Sequence, residues 1–146
     1  MDAFDADVLI YAAAPRHPLG RRVAALFPTR PVRAKDRPVG VGSVLLLPEL
    51  LAKPTREAST QELTALAGLL ARLDLRPADN STALLAVALA AAYRLAAADA
   101  VHLATALRSG ADRFITNNER DFPKTISEIA ITYPTDLEDP GGPRSS

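Results

Sequence analysis

The segment ADAVHLATALRSGADRFITNNERDF, residues 98–122, decides the fold and locates its chemistry. Its apolar spacing predicts a helix from about Ala97 to Ser109, and Gly110 stands in the favoured position after a helix end. A short strand, Arg113–Thr116, follows and leads into a polar, acidic loop. Asp99 lies at the start of the helix among apolar and small residues, where a carboxylate is costly without a partner. A metal ion shared with carboxylates near the N-terminus is one such partner.

Composition narrows the class of protein before any motif is considered. The chain has 146 residues, which suits one domain with a proper core. Lys and Arg number 17, as do Asp and Glu, so no overall basic field marks a nucleic-acid binder. Cys is absent, which excludes disulfides and thiolate metal sites. The N-terminus lacks the basic region of a signal peptide, and the longest apolar stretch, Ala83–Tyr93, is too short to span a bilayer. We therefore expect a cytoplasmic protein that contacts no membrane.

The rest of the chain alternates predicted strands and helices. The first strand is predicted within Ala3–Tyr11, whose apolar run Val8–Tyr11 is flanked by acids. Further strands are predicted at Val39–Val41, Leu73–Arg76 and Ile129–Tyr133. Helices are predicted at Pro18–Phe27 and at Val44–Ala52, the second capped by Ser43 and ended by Lys53-Pro54. A third helix follows a capping box formed by Ser59 and Glu62 and carries the apolar residues from Leu63 to Leu73. A fourth runs from Asp79 or Asn80 to about Leu95. From Pro134 onward we expect a mobile tail.

This alternation predicts an α/β fold with a parallel sheet covered on both faces. Ligands of such sheets bind beyond the carboxyl ends of the strands. That edge can bring together Asp5, Asp7 and the loop after Thr116.

Asp5 and Asp7 are the first candidate pair. Residues two apart on a strand share one face, so both carboxylates could point to the same site. The alternative is an acidic, solvated entry to the strand.

Glu49 and Asp99 are the other acids set among apolar residues. Glu49 is the only charge in its predicted helix, at helical spacing from Leu45 and Leu46. It can face a site or point to solvent. Asp99 can bind a metal or cap its helix. His102, three residues on, can be a ligand or a satisfied core residue.

A hard cation fits this set of residues. Carboxylates without Cys, and without a convincing set of His residues, suit Mg²⁺ or Mn²⁺. A divalent cation relieves the repulsion between packed carboxylates and can activate water for attack on a phosphodiester. Polar residues at the end of the predicted strand Arg113–Thr116 and in the loop after it could add ligands: Thr116, Asn117, Asn118, Glu119 and Asp121.

Three motifs resemble those of PIN-domain ribonucleases, specifically the VapC-like toxins of bacterial toxin–antitoxin pairs. They are FDADVLIYA from residue 4, SVLLLPELLAKP from residue 43, and AADAVHLATALRSGADRFITN from residue 97. The resemblance implies a three-layer α/β/α fold with a central parallel sheet of four to five strands. It implies a nuclease domain over residues 1–134, and the composition of residues 135–146 separately predicts a flexible tail. It also implies that Asp5, Glu49 and Asp99 bind Mg²⁺, which Mn²⁺ can replace.

The chain departs from the family at the fourth acidic position. Asn118 stands where the family usually has an acid, and Glu119 or Asp121 are the candidates to replace it. Ser43 and Thr116 match hydroxyl positions near the family's site, and Asp7 occupies a position that is usually Asn or Ser. These residues are expected to support the site.

The resemblance implies a Mg²⁺-dependent endoribonuclease that is neutralised by a small antitoxin and that forms a homodimer. A run of basic residues gives independent support for RNA contact or for an acidic partner. Its members are Arg16, Arg21, Arg22, Arg30, Arg33, Lys35 and Arg37, opposed only by Asp36. The same run could be a solvated surface. Trp and an RNP-like aromatic set are absent, so base stacking on an aromatic platform is not expected.

Two other functions compete with this interpretation. Asp5-Ala6-Asp7-Val8 fits the signature of haloacid-dehalogenase-type phosphatases, in which the first Asp is a nucleophile. That class needs a later Lys and a late acidic pair, but Lys124 is the only late Lys and no such pair occurs. A PIN-like module that binds RNA or a partner without cutting is the second, and the uncharged Asn118 favours it.

Overall fold

The computed structural model describes residues 1–14 and 16–141, and its centre is an all-parallel sheet of five strands. The strand order is β3-β2-β1-β4-β5. The strands are β1 Asp2–Phe4, β2 Gly40–Ser43, β3 Leu73–Arg76, β4 Arg113–Ile115 and β5 Ala130–Thr132. The α-helices are α1 Ala6–Ala12, α2 Pro18–Ala24, α3 Leu46–Arg56, α4 Thr60–Leu70, α5 Asn80–Tyr93 and α6 Ala97–Arg108, and Pro134–Asp136 forms a 3₁₀ turn.

The helices cover the sheet on both faces, which confirms the three-layer α/β/α fold. Successive residues of β1 and β4 point to opposite faces, as strand geometry requires. Ala3 and Phe114 pack with α5 and α6, whereas Phe4 and Ile115 pack with the helices on the other face. All four side chains are at least 98% buried. This alternation gives two cores, and the carboxyl ends of the strands remain as the edge where a site can form.

The N-terminal segment differs from the sequence prediction. The strand ends at Phe4, and the run Val8–Tyr11 belongs to helix α1 instead of to a strand over Ala3–Tyr11. The side chain of Asp5 accepts a hydrogen bond from the Ala6 N–H at 2.9 Å and starts the helix. A short apolar run does not distinguish a strand from a buried helix by itself, and here the Asp cap favours the helix.

Helix α3 is also displaced from its prediction. It covers Leu46–Arg56 instead of Val44–Ala52, and Pro54 lies inside its last turn, where the ring is buried. Ser43 is the last residue of β2, and its hydroxyl accepts from the Leu45 N–H at 3.1 Å without capping the helix. Pro54 removes only one helical hydrogen bond near the helix end, which its packing can offset.

The capping box predicted at Ser59 and Glu62 does not form. Ser59 precedes α4, but its side chain makes no capping hydrogen bond. Asp79 does cap α5, accepting from the Thr82 N–H at 2.9 Å, and Gly110 follows α6 with a φ of 69°. Both of these agree with the sequence prediction, because Asp favours the start of a helix and Gly the position after its end.

Residues 134–141, expected to begin a mobile tail, pack against α2. Leu137 is buried, and Arg22 donates to the carbonyl oxygens of Thr135 and Leu137 at 3.2 and 2.8 Å. Asp139 forms ion pairs with Arg21 at 3.1 Å and Arg22 at 3.8 Å. The rest of the predicted tail, residues 142–146, lies outside the described residues.

No single helix in the described ranges is long and apolar enough to cross a membrane. Within residues 1–14 and 16–141, only α5 and α6 taken together, across a bend of 116°, reach that length and composition.

Candidate metal centre

Asp5 lies at the carboxyl edge of the central strand, between β1 and α1. Its N–H continues the sheet by donating to the Ile115 carbonyl at 2.9 Å, and its carboxylate accepts from the Thr116 hydroxyl at 2.8 Å. The residue is 6% exposed. Burial raises the pKa of Asp5, Glu49 adds to this rise, and the Thr116 hydrogen bond opposes it. A buried carboxylate with few donors is suited to binding a cation.

The loop after β4 holds Thr116 in position and extends the site. The Thr116 hydroxyl is fully buried and accepts from the Asn118 N–H at 3.1 Å. Asn118 and Asp121 bond each other reciprocally, with the Asn118 side-chain amide donating at 2.9 Å and the Asp121 N–H donating back at 3.2 Å. Asn118 therefore positions an acid, Asp121, three residues after it.

Asp7 is in the first turn of α1 and has one unsatisfied oxygen. Its Oδ2 accepts from the Asn117 N–H at 3.0 Å, while Oδ1 is buried with no hydrogen-bond partner in the described structure. Burial raises the pKa of Asp7 to about 7, and the neighbouring Asp5 contributes to this rise. An unpaired buried oxygen is costly unless something binds it.

Glu49 reaches the site from α3 through a contact with α6. Its Oε2 lies 3.0 Å from Nε2 of His102, and the His102 side chain is 1% exposed against 33% for Glu49. Since an ionised carboxylate only accepts hydrogen bonds, Nε2 carries the proton. Nδ1 of His102 is buried without a partner in the described structure. The contact joins Glu49 to α6, while the residue itself remains exposed to solvent.

Asp99 lies in the first turn of α6, half-buried. Ala96 occupies the cap position, so Asp99 does not cap its helix as the alternative proposed. No hydrogen bond to its carboxylate is present among the described residues. Burial raises the pKa of Asp99, and the negative charges of Asp5, Asp121 and Glu49 raise it further.

Three acids from other elements, Asp5, Asp121 and Glu49, thus raise the pKa of Asp99, and Glu49 also raises the pKa of Asp5. Among the described residues, the one basic group with a main influence on the pKa values of Asp5 and Asp99 is the His102 imidazole. In the part of the chain described, no three Asp, Glu or His side chains already surround a single point as a preformed metal cage would. The donor set still fits a hard cation, because it is all oxygen and the pKa values of Asp5 and Asp99 remain raised despite His102. The residues present therefore fit Mg²⁺ or Mn²⁺.

The structure separates the predicted supporting residues into two groups. Thr116, Asn118 and Asp121 adjoin the acids through the contacts above, and Asp7 lies beside Asp5. Ser43 is buried at the end of β2 but bonds only the Leu45 backbone among the described residues. Glu119 is exposed, and Asp121 is the loop acid that acts on Asp99.

Some residues of the predicted basic run form ion pairs with acids of this chain. Arg21 and Arg22 bind Asp139, which sequence reasoning missed, and Arg30 binds Asp36 at 2.7 Å. The side chains with no ion pair in the described structure are exposed: Arg16, Arg33, Lys35 and Arg37. The sequence predicted a larger unpaired basic surface than the structure has, because Asp139 pairs with Arg21 and Arg22 from a distant part of the chain.

The fold and site define an α/β protein with an acidic centre at the carboxyl edge of a parallel sheet. The family model for the PIN domain matches residues 3–127. The protein therefore belongs to the PIN domain family. No curated protein matches the chain.

Solved structures share this fold at low sequence identity. A chain of a toxin–antitoxin complex from Klebsiella pneumoniae is 24% identical with a TM-score of 0.69, over 92% of this chain and 98% of that one. A chain of VapBC from Salmonella typhimurium bound to DNA is 20% identical with a TM-score of 0.66, over 91% of this chain and 97% of that one. A chain of VapBC2 from Rickettsia felis, bound to a promoter DNA fragment, is 17% identical with a TM-score of 0.66, over 90% of this chain and 97% of that one. The resemblance to VapC-like PIN domains is thus confirmed in fold.

The family match over residues 3–127 does not support the phosphatase alternative.

Proposed function

We propose that the protein is a metal-dependent endoribonuclease that acts as the toxin of a toxin–antitoxin pair. The observation that carries this proposal is the mutual influence of acids from three separate elements at the carboxyl edge of the sheet: Asp5 and Glu49 both raise the pKa of Asp99, and Glu49 raises that of Asp5. Membership of the PIN domain family supports a nuclease. The fold similarity to chains of toxin–antitoxin complexes supports the biological role.

Asp5, Glu49 and Asp99 would hold Mg²⁺, or Mn²⁺ in its place. The bound cation supplies a Lewis acid that polarises the phosphodiester and lowers the pKa of water. Thr116 fixes the Asp5 carboxylate, and His102 fixes Glu49. Preorganised carboxylates need little rearrangement when the reaction begins.

Asp7 has a separate role in this proposal. Before a cation binds, burial and the Asp5 charge raise the pKa of Asp7 to about 7, so Asp7 can take up or release a proton at Oδ1 near neutral pH. The Asn117 N–H holds the other oxygen, Oδ2, and so orients the carboxyl group.

The partners of the protein follow from the same proposal. The exposed side chains of Arg16, Arg33, Lys35 and Arg37 can contact RNA phosphates. A small antitoxin is the expected inhibitor, and a homodimer is the expected assembly. The similarity to chains of toxin–antitoxin complexes supports the antitoxin, while the homodimer rests on the family resemblance alone.

A binding module without cleavage is the second candidate. The observation that favours it is Asn118, which carries no charge and whose amide engages the Asp121 carboxylate at 2.9 Å. If that bond persists, Asp121 contributes less to cation binding than a free acid would.

The test is RNA cleavage by the purified protein with Mg²⁺, with Mn²⁺ and with EDTA, alongside Asp5→Asn. A panel of structured RNAs is needed because the target is unknown. Metal-dependent cutting that the variant loses supports the nuclease. RNA binding without cutting under any metal supports the binding module instead.

A further inference from the structure

Two aromatic rings stack on the surface of the protein beside the acidic centre. The Tyr11 and His17 rings have centroids 4.7 Å apart and planes inclined by 24°. Both residues are partly exposed, and neither belongs to the two hydrophobic cores. The pair is therefore not explained by core packing, and part of it is open to a ligand.

The pair is connected to the acidic centre by Asn117. Tyr11 follows Asp7 by four residues on α1, so the two side chains share one helix face. The Tyr11 hydroxyl accepts from the Asn117 side-chain amide at 3.4 Å, and the Asn117 N–H donates to Asp7 at 3.0 Å. One residue thus contacts both the stacked pair and the acids.

The His17 ring is held in a fixed orientation. Its Nδ1 accepts from the Leu19 N–H at 3.1 Å as it caps α2, which leaves the ring proton on Nε2. Arg16, next to it, is exposed and has no ion pair in the described structure. A rigid aromatic surface next to an unpaired cation is a combination that binds single-stranded nucleic acid.

We propose that Tyr11 and His17 form a stacking platform for an unpaired base of the RNA strand that is cleaved at the acidic centre. This inference rests on the proposed function and adds a substrate subsite to it. The sequence alone predicted no aromatic platform, because the two rings are not part of an RNP-like pattern. The platform selects single-stranded RNA, since a paired base cannot present its face.

The chain offers matched variants that test the platform. His17→Asn keeps a good helix cap but removes the ring. Tyr11→Leu removes the other ring, and Tyr11→Phe keeps the ring while losing the bond to Asn117. Tyr93→Leu is the control, because Tyr93 is a partly exposed tyrosine of α5 that contacts Glu128 and packs against the core on that side of the sheet.

The measurement is the dissociation constant of a short single-stranded oligoribonucleotide, by fluorescence anisotropy with Ca²⁺ in place of Mg²⁺. The same strand with abasic riboses is measured in parallel, and thermal unfolding checks that each variant folds. Loss of a stacked base corresponds to roughly a 5- to 150-fold weaker affinity. We expect such a loss for His17→Asn and Tyr11→Leu, but about twofold or less for Tyr11→Phe and Tyr93→Leu.

The abasic strand distinguishes stacking from a structural effect. The proposal expects wild type to bind it as weakly as the ring-deleted variants do, with no further loss in those variants. Unchanged affinity of His17→Asn and Tyr11→Leu for the natural strand overturns the platform, provided that wild type cleaves RNA with Mg²⁺. An equal loss on both strands also overturns it. If wild type neither binds nor cleaves RNA, the proposed function itself fails.

Discussion

Asp7 gives the metal-free protein an unusual dependence on pH. Its carboxyl group is buried with one unpaired oxygen, and its pKa is raised from an ordinary 3.8 to about 7. The folded protein therefore holds this proton more tightly than the unfolded chain. Between 3.8 and about 7 the folded state binds more protons, so stability falls as the pH rises through that window and levels off above it.

The size of the effect follows from the same two values. At about 1.4 kcal/mol for each pH unit, the full window corresponds to roughly 4 kcal/mol of unfolding free energy. From about pH 5 to about pH 8, Asp7 alone should account for roughly 3 kcal/mol of lost stability. Asp5 and Asp99 act in the same direction, because burial raises the pKa of each of them as well.

Asp7→Asn should remove this contribution. An amide keeps an oxygen that can accept from Asn117, but it has no charge to bury. At about pH 8 we expect the free energy of unfolding of the variant to exceed that of wild type by about 2 to 4 kcal/mol. At about pH 4 the two proteins should be nearly equally stable. Urea denaturation in EDTA measures both, with Glu57→Gln, an exposed carboxylate, as the control.

A specific result would refute this reasoning. If Asp7→Asn and wild type lose the same stability between about pH 5 and pH 8, Asp7 does not carry the buried proton. A wild-type stability that rises with pH across this range would contradict the sign as well.

Three further changes have expected outcomes. Asp99→Asn should lower RNA cleavage by at least about 100-fold, because it removes a charge that would hold the cation. Without metal at neutral pH the variant should be at least as stable as wild type, because burial and the neighbouring acids disfavour the Asp99 charge. Unchanged cleavage would remove Asp99 from the centre. His102→Leu should weaken Mn²⁺ binding by about 10-fold, because Glu49 loses the hydrogen bond that positions it. His102→Gln should weaken it less, because glutamine keeps a donor for Glu49. Equal Mn²⁺ affinity in the two variants would contradict this positioning role of His102. Arg22→Ala should cost about 1 to 3 kcal/mol in urea denaturation and expose residues 134–141 to hydrogen exchange, whereas the more exposed Arg21→Ala should cost under about 1 kcal/mol.

Much of the fold was predictable because its signals are local. Alternating helices and strands indicate a parallel sheet, and Asp79 and Gly110 mark helix ends that the structure confirms. The placement of Asp99 in the first turn of α6 follows from the same pattern. These features depend on residues close in sequence, so no knowledge of distant contacts is needed.

The first helix was not predictable in the same way. Val8–Tyr11 is short, apolar and β-branched in part, which suits a buried strand as well as a helix. The Asp5 cap, together with pairing that stops at Phe4 and Ile115, selects the helix. The consequence for the site is that Asp5 and Asp7 occupy a helix start, so their relation is not the two-residue spacing of a strand.

The contacts that complete the site join residues far apart in the chain. His102 and Glu49 are separated by 53 positions, and Asp5 and Thr116 by 111. Spacing does not show which groups meet at such distances. A His three residues after Asp99 was the available signal, since that spacing places both on a similar side of α6.

We propose above that the carboxylates at the carboxyl edge of the sheet form a divalent cation site. Titration of Mn²⁺ into metal-free wild type and Asp5→Asn, without RNA and at about pH 7.5, tests it most directly. We expect saturable Mn²⁺ binding in wild type, release of protons on binding, and a large loss of affinity in the variant. Absence of saturable binding in wild type, or equal binding in Asp5→Asn, would contradict it.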